Sequence, residues 1–107
     1  MKTIGKQYRQ GDVFIERVDA LPTTTTPKPR DRGRVILAYG EVTGHAHAID
    51  SALAELFEEQ DGTLYLRASG AVDLVHEEHA TIALEPGCYR IVTQREYSPE
   101  AIRRVAD

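Results

Sequence analysis

Short segments in which apolar and polar residues alternate run along most of the 107-residue chain, with glycine and proline between them. Alternation places successive side chains on opposite faces and is typical of half-buried β-strands. About seven or eight such segments separated by turn residues predict an all-β sandwich or barrel. The predicted strands lie within residues 11–18, 33–42, 45–49, 63–67, 71–76, 81–84 and 88–97.

Two further segments carry a helical signal. Apolar residues in the segment 52–59 have the i, i+3, i+4 spacing of a helix face, but the segment is short and lies among strands, so we favour a strand there. Near the end of the chain, Ser98 followed by Pro99 is typical of a helix start. A short C-terminal helix over 101–105 is therefore expected.

The composition is that of a folded globular protein, with 41% hydrophobic and 28% charged residues. A chain of this length is expected to form a single β domain, residues 1–107, with the threonine- and proline-rich segment 22–32 as an exposed loop. No apolar stretch is long enough to cross a membrane, and the first residues lack a secretory signal. The single cysteine, Cys88, rules out an intrachain disulfide, so a cytoplasmic protein is expected.

Charge is unevenly distributed along the chain, around a net value of −4. Residues 35–86 contain ten acidic residues and a single basic one, Arg67. An acidic middle segment argues against a continuous phosphate-binding face, so a nucleic-acid partner is not expected. Exposed edges of small β proteins pair readily with another chain, which predicts a homo-oligomer or a protein partner.

The four histidines fall into two tight pairs, and the first pair carries the sharper signal. Residues i and i+2 of a strand face the same way, so His45 and His47 share a face with Ile49, which is expected to be the core face. Buried imidazoles need partners. Because neutral imidazole is the commonest metal ligand, two of them on one strand face could chelate an ion.

The second pair, His76 and His79, has a spacing that a regular strand does not bring together. Residues i and i+3 point to opposite faces, so the two rings converge only if Glu77-Glu78 forms a turn or a bulge. The segment is not the helical zinc-protease motif, which places its histidines at i and i+4.

Together the two pairs predict a mononuclear metal site. The candidate ligands are His45, His47 and His76, with His79 or an acidic residue as the fourth. Such a set suits a divalent transition metal, and the sequence does not distinguish Zn, Fe, Mn, Ni and Cu. A histidine cluster without metal, satisfied by backbone groups or solvent, remains the alternative. Residues that could add a ligand or a supporting contact are Glu41, Asp50, Glu77, Glu78 and Arg95.

Two resemblances bear on this site. The spacing of Gly40 and His45-x-His47 resembles the first motif of the cupin superfamily, in which a glycine precedes His-x-His and an acid follows. This resemblance implies a double-stranded β-helix barrel with a metal ion inside. Most of the chain also resembles a group of small, uncharacterised bacterial and phage proteins. The segments that carry the second resemblance are Gly11-Asp12-Val13, Gly40 to His47, His76 to His79, Pro86 to Arg90 and Gln94 to Tyr97.

Two functions fit these observations. The first is a small cupin-like enzyme whose metal ion polarises a small polar substrate or activates water or oxygen. The second is a non-catalytic accessory module of a bacterial or phage assembly, with a structural metal ion or none. The residues leave both open.

Overall fold

A computed structural model describes residues 6–40 and 44–93. These residues form strands and turns without a helix, which confirms the all-β prediction. No helix among them is long and apolar enough to pass through a membrane. The strands are β1 (Gln7–Gln10), β2 (Val13–Val18), β3 (Thr26–Pro27), β4 (Val35–Tyr39), β5 (Ala46–Ile49), β6 (Ala54–Glu58), β7 (Leu64–Ala68), β8 (Val72–His76), β9 (His79–Leu84) and β10 (Gly87–Thr93).

The strands form two antiparallel sheets. The six-stranded sheet has the order β1-β2-β10-β7-β6-β3, and the four-stranded sheet has the order β4-β5-β8-β9. Among the described residues each sheet keeps two edge strands, so the architecture fits a sandwich and not the closed double-stranded β-helix barrel that the resemblance to cupins implies. A closed barrel needs ladders that join the edges of the two sheets, and no ladder among the described strands pairs β1 or β3 with β4 or β9.

The core lies between the two sheets and follows from the alternation in the sequence. Leu56 of β6, Leu66 of β7 and Tyr89 of β10 point inward from the larger sheet, and Leu66 and Tyr89 are fully buried. Leu74 of β8 and Ile49 of β5 contribute from the smaller sheet and are also fully buried. Complete burial of side chains of this size stabilises the fold by about 1.5–3 kcal/mol each.

The segment 52–59 forms a strand, as favoured from the sequence. Ala54 and Leu56 are buried while Glu55 between them is exposed, so the alternation of a strand prevails over the helical spacing. The spacing was misleading because Leu53 precedes the strand and is 46% exposed. Phe57 is half-buried, with the Arg67 guanidinium 4.9 Å from its ring centroid.

The sequence did not predict β1 and β3. The four residues of β1 are polar or aromatic and lack apolar alternation, yet they pair with β2 across the two-residue turn Gly11-Asp12. Strand β3 lies inside the threonine- and proline-rich segment and pairs with Phe57 and Glu58 at the sheet edge. Proline is tolerated at such an edge because no ladder donor is needed on the open side.

Two expectations from the sequence concern residues that the structure does not describe. They are the short C-terminal helix over 101–105 and the segment Gln94 to Tyr97.

Candidate functional site

The four histidines meet at one end of the four-stranded sheet. His45 directly precedes β5 and His47 lies within it, while His76 ends β8 and His79 begins β9. The His76 ring is central, with its centroid 4.3 Å from that of His47, 4.7 Å from that of His79 and 5.7 Å from that of His45. Two sequence pairs separated by about thirty residues therefore form a single cluster, because β5 and β8 are neighbours in the sheet.

The β8–β9 hairpin brings His76 and His79 to the same face. Glu77 and Glu78 form a two-residue turn, and His76 pairs directly with His79. The register shifts within this ladder, since Leu74 pairs with Ile82 and two residues of β9 then oppose one residue of β8. Direct partners in an antiparallel ladder lie on the same face, so the two-residue turn places His79 on the face of His76, and the bulge accommodates this pairing next to that of Leu74 with Ile82. This geometry is the turn or bulge that the His-x-x-His spacing required.

Three ligands stand closest together in the cluster. One ligand atom from each of His45, His76 and Glu77 lies within 4.8 Å of the other two. The imidazoles are half-buried and the carboxylate is exposed, so the group faces solvent on one side. His47 and His79 lie outside this tightest group. We call His45, His76 and Glu77 the inner group.

Glu77 is held as a carboxylate by its surroundings. Its Oε1 accepts a hydrogen bond from the Ala46 backbone N–H at 3.1 Å, and this bond is the main reason that its pKa lies below the ordinary value of 4.5. Its own backbone N–H and the neighbouring His45 and His76 lower the pKa further. The charged form is the one that binds a metal ion.

His45 contributes a nitrogen that lacks a hydrogen-bond partner among the described residues. Its Nδ1 is buried, and the nearest carboxylate oxygen, Glu78 Oε2, is 3.6 Å away, too far for a hydrogen bond. Leaving a buried polar atom unsatisfied costs about 1–3 kcal/mol. A metal ion bound at this nitrogen would remove that cost.

His76 is arranged differently. Its Nδ1 accepts a hydrogen bond from the Glu78 backbone N–H at 3.0 Å, so the neutral ring carries its proton on Nε2. Coordination through Nε2 needs the other tautomer, and coordination through Nδ1 displaces the Glu78 N–H. Either route gives up one hydrogen bond, at a cost of about 0.5–1.5 kcal/mol.

His47 is the buried member of the cluster, with 2% of its surface exposed. Its Nδ1 lies 2.8 Å from Gln10 Oε1, and its Nε2 lies 3.5 Å from Asp12 Oδ1. Sequence reasoning missed both Gln10 and Asp12. Gln10 gave no signal because it ends a polar segment that lacks strand alternation, and Asp12 was noted only as part of a shared Gly11-Asp12-Val13 run.

The remaining predicted site residues occupy different positions. Glu78 belongs to the β8–β9 turn beside His45 and His76. Asp50 is exposed and follows β5 at the end opposite to His45. Glu41 and Arg95 lie outside the residues that the structure describes.

The β1–β2 turn closes the cluster on the His79 side, and this contact is testable. Gly11 has a φ of +61°, and a Cβ at this position would lie 2.7 Å from His79 Nε2. We expect Gly11→Ala to lower the stability by about 1–2 kcal/mol through the left-handed backbone alone. We also expect it to displace the exposed His79 ring, seen as shifted imidazole signals in NMR spectra.

Gly62→Ala is the matched control, because Gly62 has a φ of +92° and open space around its missing Cβ. The two variants should have melting temperatures that are lowered by similar amounts, while only Gly11→Ala should shift the NMR signals of the His79 imidazole. Unchanged His79 signals in Gly11→Ala would contradict the placement of the turn.

Comparison with known proteins identifies the family to which the chain belongs but does not identify an activity. The profile of the family described as Domain of unknown function (DUF8820) matches residues 9–94. The match runs from β1 to just beyond β10 and includes all four histidines. Neither the curated proteins nor the solved structures yield a significant match.

Proposed function

We propose that this chain, which belongs to the DUF8820 family of domains of unknown function, binds a divalent transition-metal ion at the inner group of His45, His76 and Glu77. The observation that carries the proposal is the convergence of three ligand atoms within 4.8 Å of one another. The buried, unpartnered Nδ1 of His45 and the depressed pKa of Glu77 support it.

The ligand chemistry fits a catalytic type of site better than a closed structural one. Structural zinc sites use four protein ligands, whereas sites with three protein ligands keep a position for water or substrate. Two imidazoles and a carboxylate suit Zn, Fe, Mn, Ni or Cu. Since Glu77 is exposed, the open position would face solvent and would take up a small polar molecule.

Charge around the inner group favours a cation. Glu77 and Glu78 occupy the turn, and Asp12 lies against His47 on the other side of the cluster. Three carboxylates beside the histidine cluster give a negative local potential, which attracts divalent ions from solution.

Metal titration of the metal-free chain tests the proposal directly. The chain would be stripped with a chelator and titrated separately with Zn²⁺, Mn²⁺, Ni²⁺, Cu²⁺ and, under anaerobic conditions, Fe²⁺. Calorimetry would give the affinity, and elemental mass spectrometry after dialysis would give the metal content. We expect at least one ion retained per chain for one of these metals. If none of the five is retained, the proposed function is wrong.

Metal binding should also raise the melting temperature. An ion that binds only the folded chain adds about 2.7 kcal/mol at a concentration 100 times its Kd. For a domain of about this size, that free energy corresponds to a rise of about 10–20 °C. Thermal unfolding with and without the tightest-binding metal measures the shift. An equal rise in wild type and in His76→Ala would show that the ion stabilises the chain from elsewhere.

A further inference from the structure

A tight turn just before β4 displays two arginines. Asp31 and Arg34 exchange two backbone hydrogen bonds, from Asp31 N to Arg34 O at 2.9 Å and from Arg34 N to Asp31 O at 3.0 Å. The two residues between them, Arg32 and Gly33, have φ values of +55° and +82°, as in a type I′ turn. Arg32 at the tip is exposed and Arg34 is half-buried. We call Asp31 to Arg34 the arginine turn.

The side chain of Arg30 holds the arginine turn in place. Its guanidinium donates to three backbone carbonyls, Gly33 O at 2.9 Å, Ser51 O at 2.8 Å and Ala54 O at 2.7 Å. These bonds tie the turn to the residues at the start of β6. The turn therefore has a fixed shape before any ligand binds, which lowers the entropic cost of binding.

The backbone conformation of Arg32 does not favour arginine. Arg32 is the only non-glycine residue with a positive φ among the described residues, and glycine or asparagine is favoured in this region. Its guanidinium makes neither a hydrogen bond nor an ion pair with any residue that the structure describes. The arginine side chain therefore does not stabilise the turn, and an unfavourable conformation kept at an exposed position points to a function.

Tyr39 lies beside the two arginines. Its hydroxyl donates a hydrogen bond to Asp31 Oδ2, and 58% of the residue is exposed. This bond is the main reason that the pKa of the Tyr39 phenol lies above its ordinary value, while the positive charges of Arg34 and Arg32 act in the opposite direction. Both guanidiniums are thus close enough to affect the phenol, and an exposed aromatic ring stands next to two cations.

We infer that the arginine turn binds the phosphate group of a small molecule, with Arg32 and Arg34 as its ligands and the Tyr39 ring beside it. Guanidinium groups match the geometry of phosphate oxygens and bind them through charge-assisted hydrogen bonds. Two of them suit one phosphate group and not the repeated phosphates of a nucleic-acid duplex. An aromatic ring next to that phosphate suits a nucleotide, whose base can stack on it.

Asp50 is the carboxylate to consider on the neighbouring strand. Val35 pairs with Ile49, so Arg34 and Asp50 are the next residues along β4 and β5. Asp50 is exposed and would repel an anion that is bound to Arg34. We therefore expect Asp50→Asn to raise the affinity for phosphate by about two- to fivefold. An unchanged or lower affinity in this variant would place the phosphate away from Arg34 and overturn the inference.

Titration of the metal-free full chain with inorganic phosphate and, separately, with AMP tests the site directly. Without a metal ion, phosphate cannot bind through the inner group, so the result does not depend on the proposed function. NMR spectra at constant ionic strength would follow the arginine Nε–H groups and the backbone N–H of Gly33. We expect saturable shifts at Arg32, Gly33 and Arg34 with both compounds. Tighter binding of AMP would support a nucleotide and equal binding a free phosphate, while unshifted signals with both would overturn the inference.

Arg32→Asn separates binding from folding. Since asparagine accepts the left-handed conformation better than arginine, we expect an unchanged or higher melting temperature. Phosphate affinity should fall at least about tenfold, as for the loss of one charge-assisted hydrogen bond.

Arg67→Gln is the matched control for Arg32→Asn. Arg67 is an exposed arginine of β7 that pairs with Glu55, so this variant removes the same charge at a distant site. Its phosphate affinity should stay within about twofold of wild type. Wild-type affinity in Arg32→Asn, or an equal loss in both variants, would show that phosphate does not bind specifically at the arginine turn and would overturn the inference.

Discussion

His76→Ala is expected to weaken Zn²⁺ binding at the inner group by at least about 100-fold. Loss of a supporting residue outside the coordination shell already costs about 10–100-fold in affinity, so removal of one of three direct ligands should cost no less. His76 is also central in the cluster, since its ring neighbours those of the other three histidines. Calorimetric titration of the metal-free variant measures the effect.

Asp73→Asn is the control for His76→Ala. Asp73 lies on the same strand, β8, and its side chain is exposed between two buried neighbours. This change removes one negative charge close in sequence to the site without removing a ligand, so the affinity should stay within about threefold of wild type. If His76→Ala keeps wild-type affinity while both variants fold, the ion does not bind at the inner group.

Leu66→Ala is expected to lower the free energy of unfolding by about 2–5 kcal/mol. Leu66 is fully buried in the centre of the larger sheet, where its strand pairs with β6 and β10. The loss combines the transfer of the missing methyl groups with the cavity that they leave. Urea unfolding followed by circular dichroism gives the change in free energy.

Leu53→Ala is a control with the same chemistry at the surface. Leu53 is 46% exposed and precedes β6, so we expect its replacement to lower the free energy of unfolding by less than about 1 kcal/mol. If Leu66→Ala and Leu53→Ala lowered the free energy of unfolding by similar amounts, Leu66 would not lie in the core between the two sheets.

Much of the fold could be predicted from alternation because most strands bury one face. Segments such as 81–84 and 63–67 carry that pattern; the first lies within β9, and the second matches β7 to within one residue at each end. The polar strand β1 could not be found in this way, because its pairing depends on the Gly11-Asp12 turn and on β2. The choice between barrel and sandwich depends on which strands become neighbours, and alternation within a strand carries no information about this.

The candidate site, like the fold, could be predicted only in part from the sequence. The His-x-His and His-x-x-His spacings were enough to select four residues that the fold brings together, because the spacings reflect a strand face and a hairpin turn. Gln10 and Asp12 could not be selected, since their role arises from contact between sheets over more than thirty residues of separation. Glu77 was one of several acids in the sequence, and only the turn geometry places it in the inner group.

The bulge in the β8–β9 ladder makes the number of residues in β9 as important as their identity. Ala80 and Thr81 together oppose Val75, and beyond this point His79 pairs with His76. A deletion of one of these two residues would restore the regular ladder, with His79 still opposite His76 and on the same face of the sheet. The same deletion would remove the irregular backbone that Gln10 satisfies. The extra residue in β9 is therefore needed for the contact with Gln10, and through Gln10 with His47, and not for the meeting of His76 and His79.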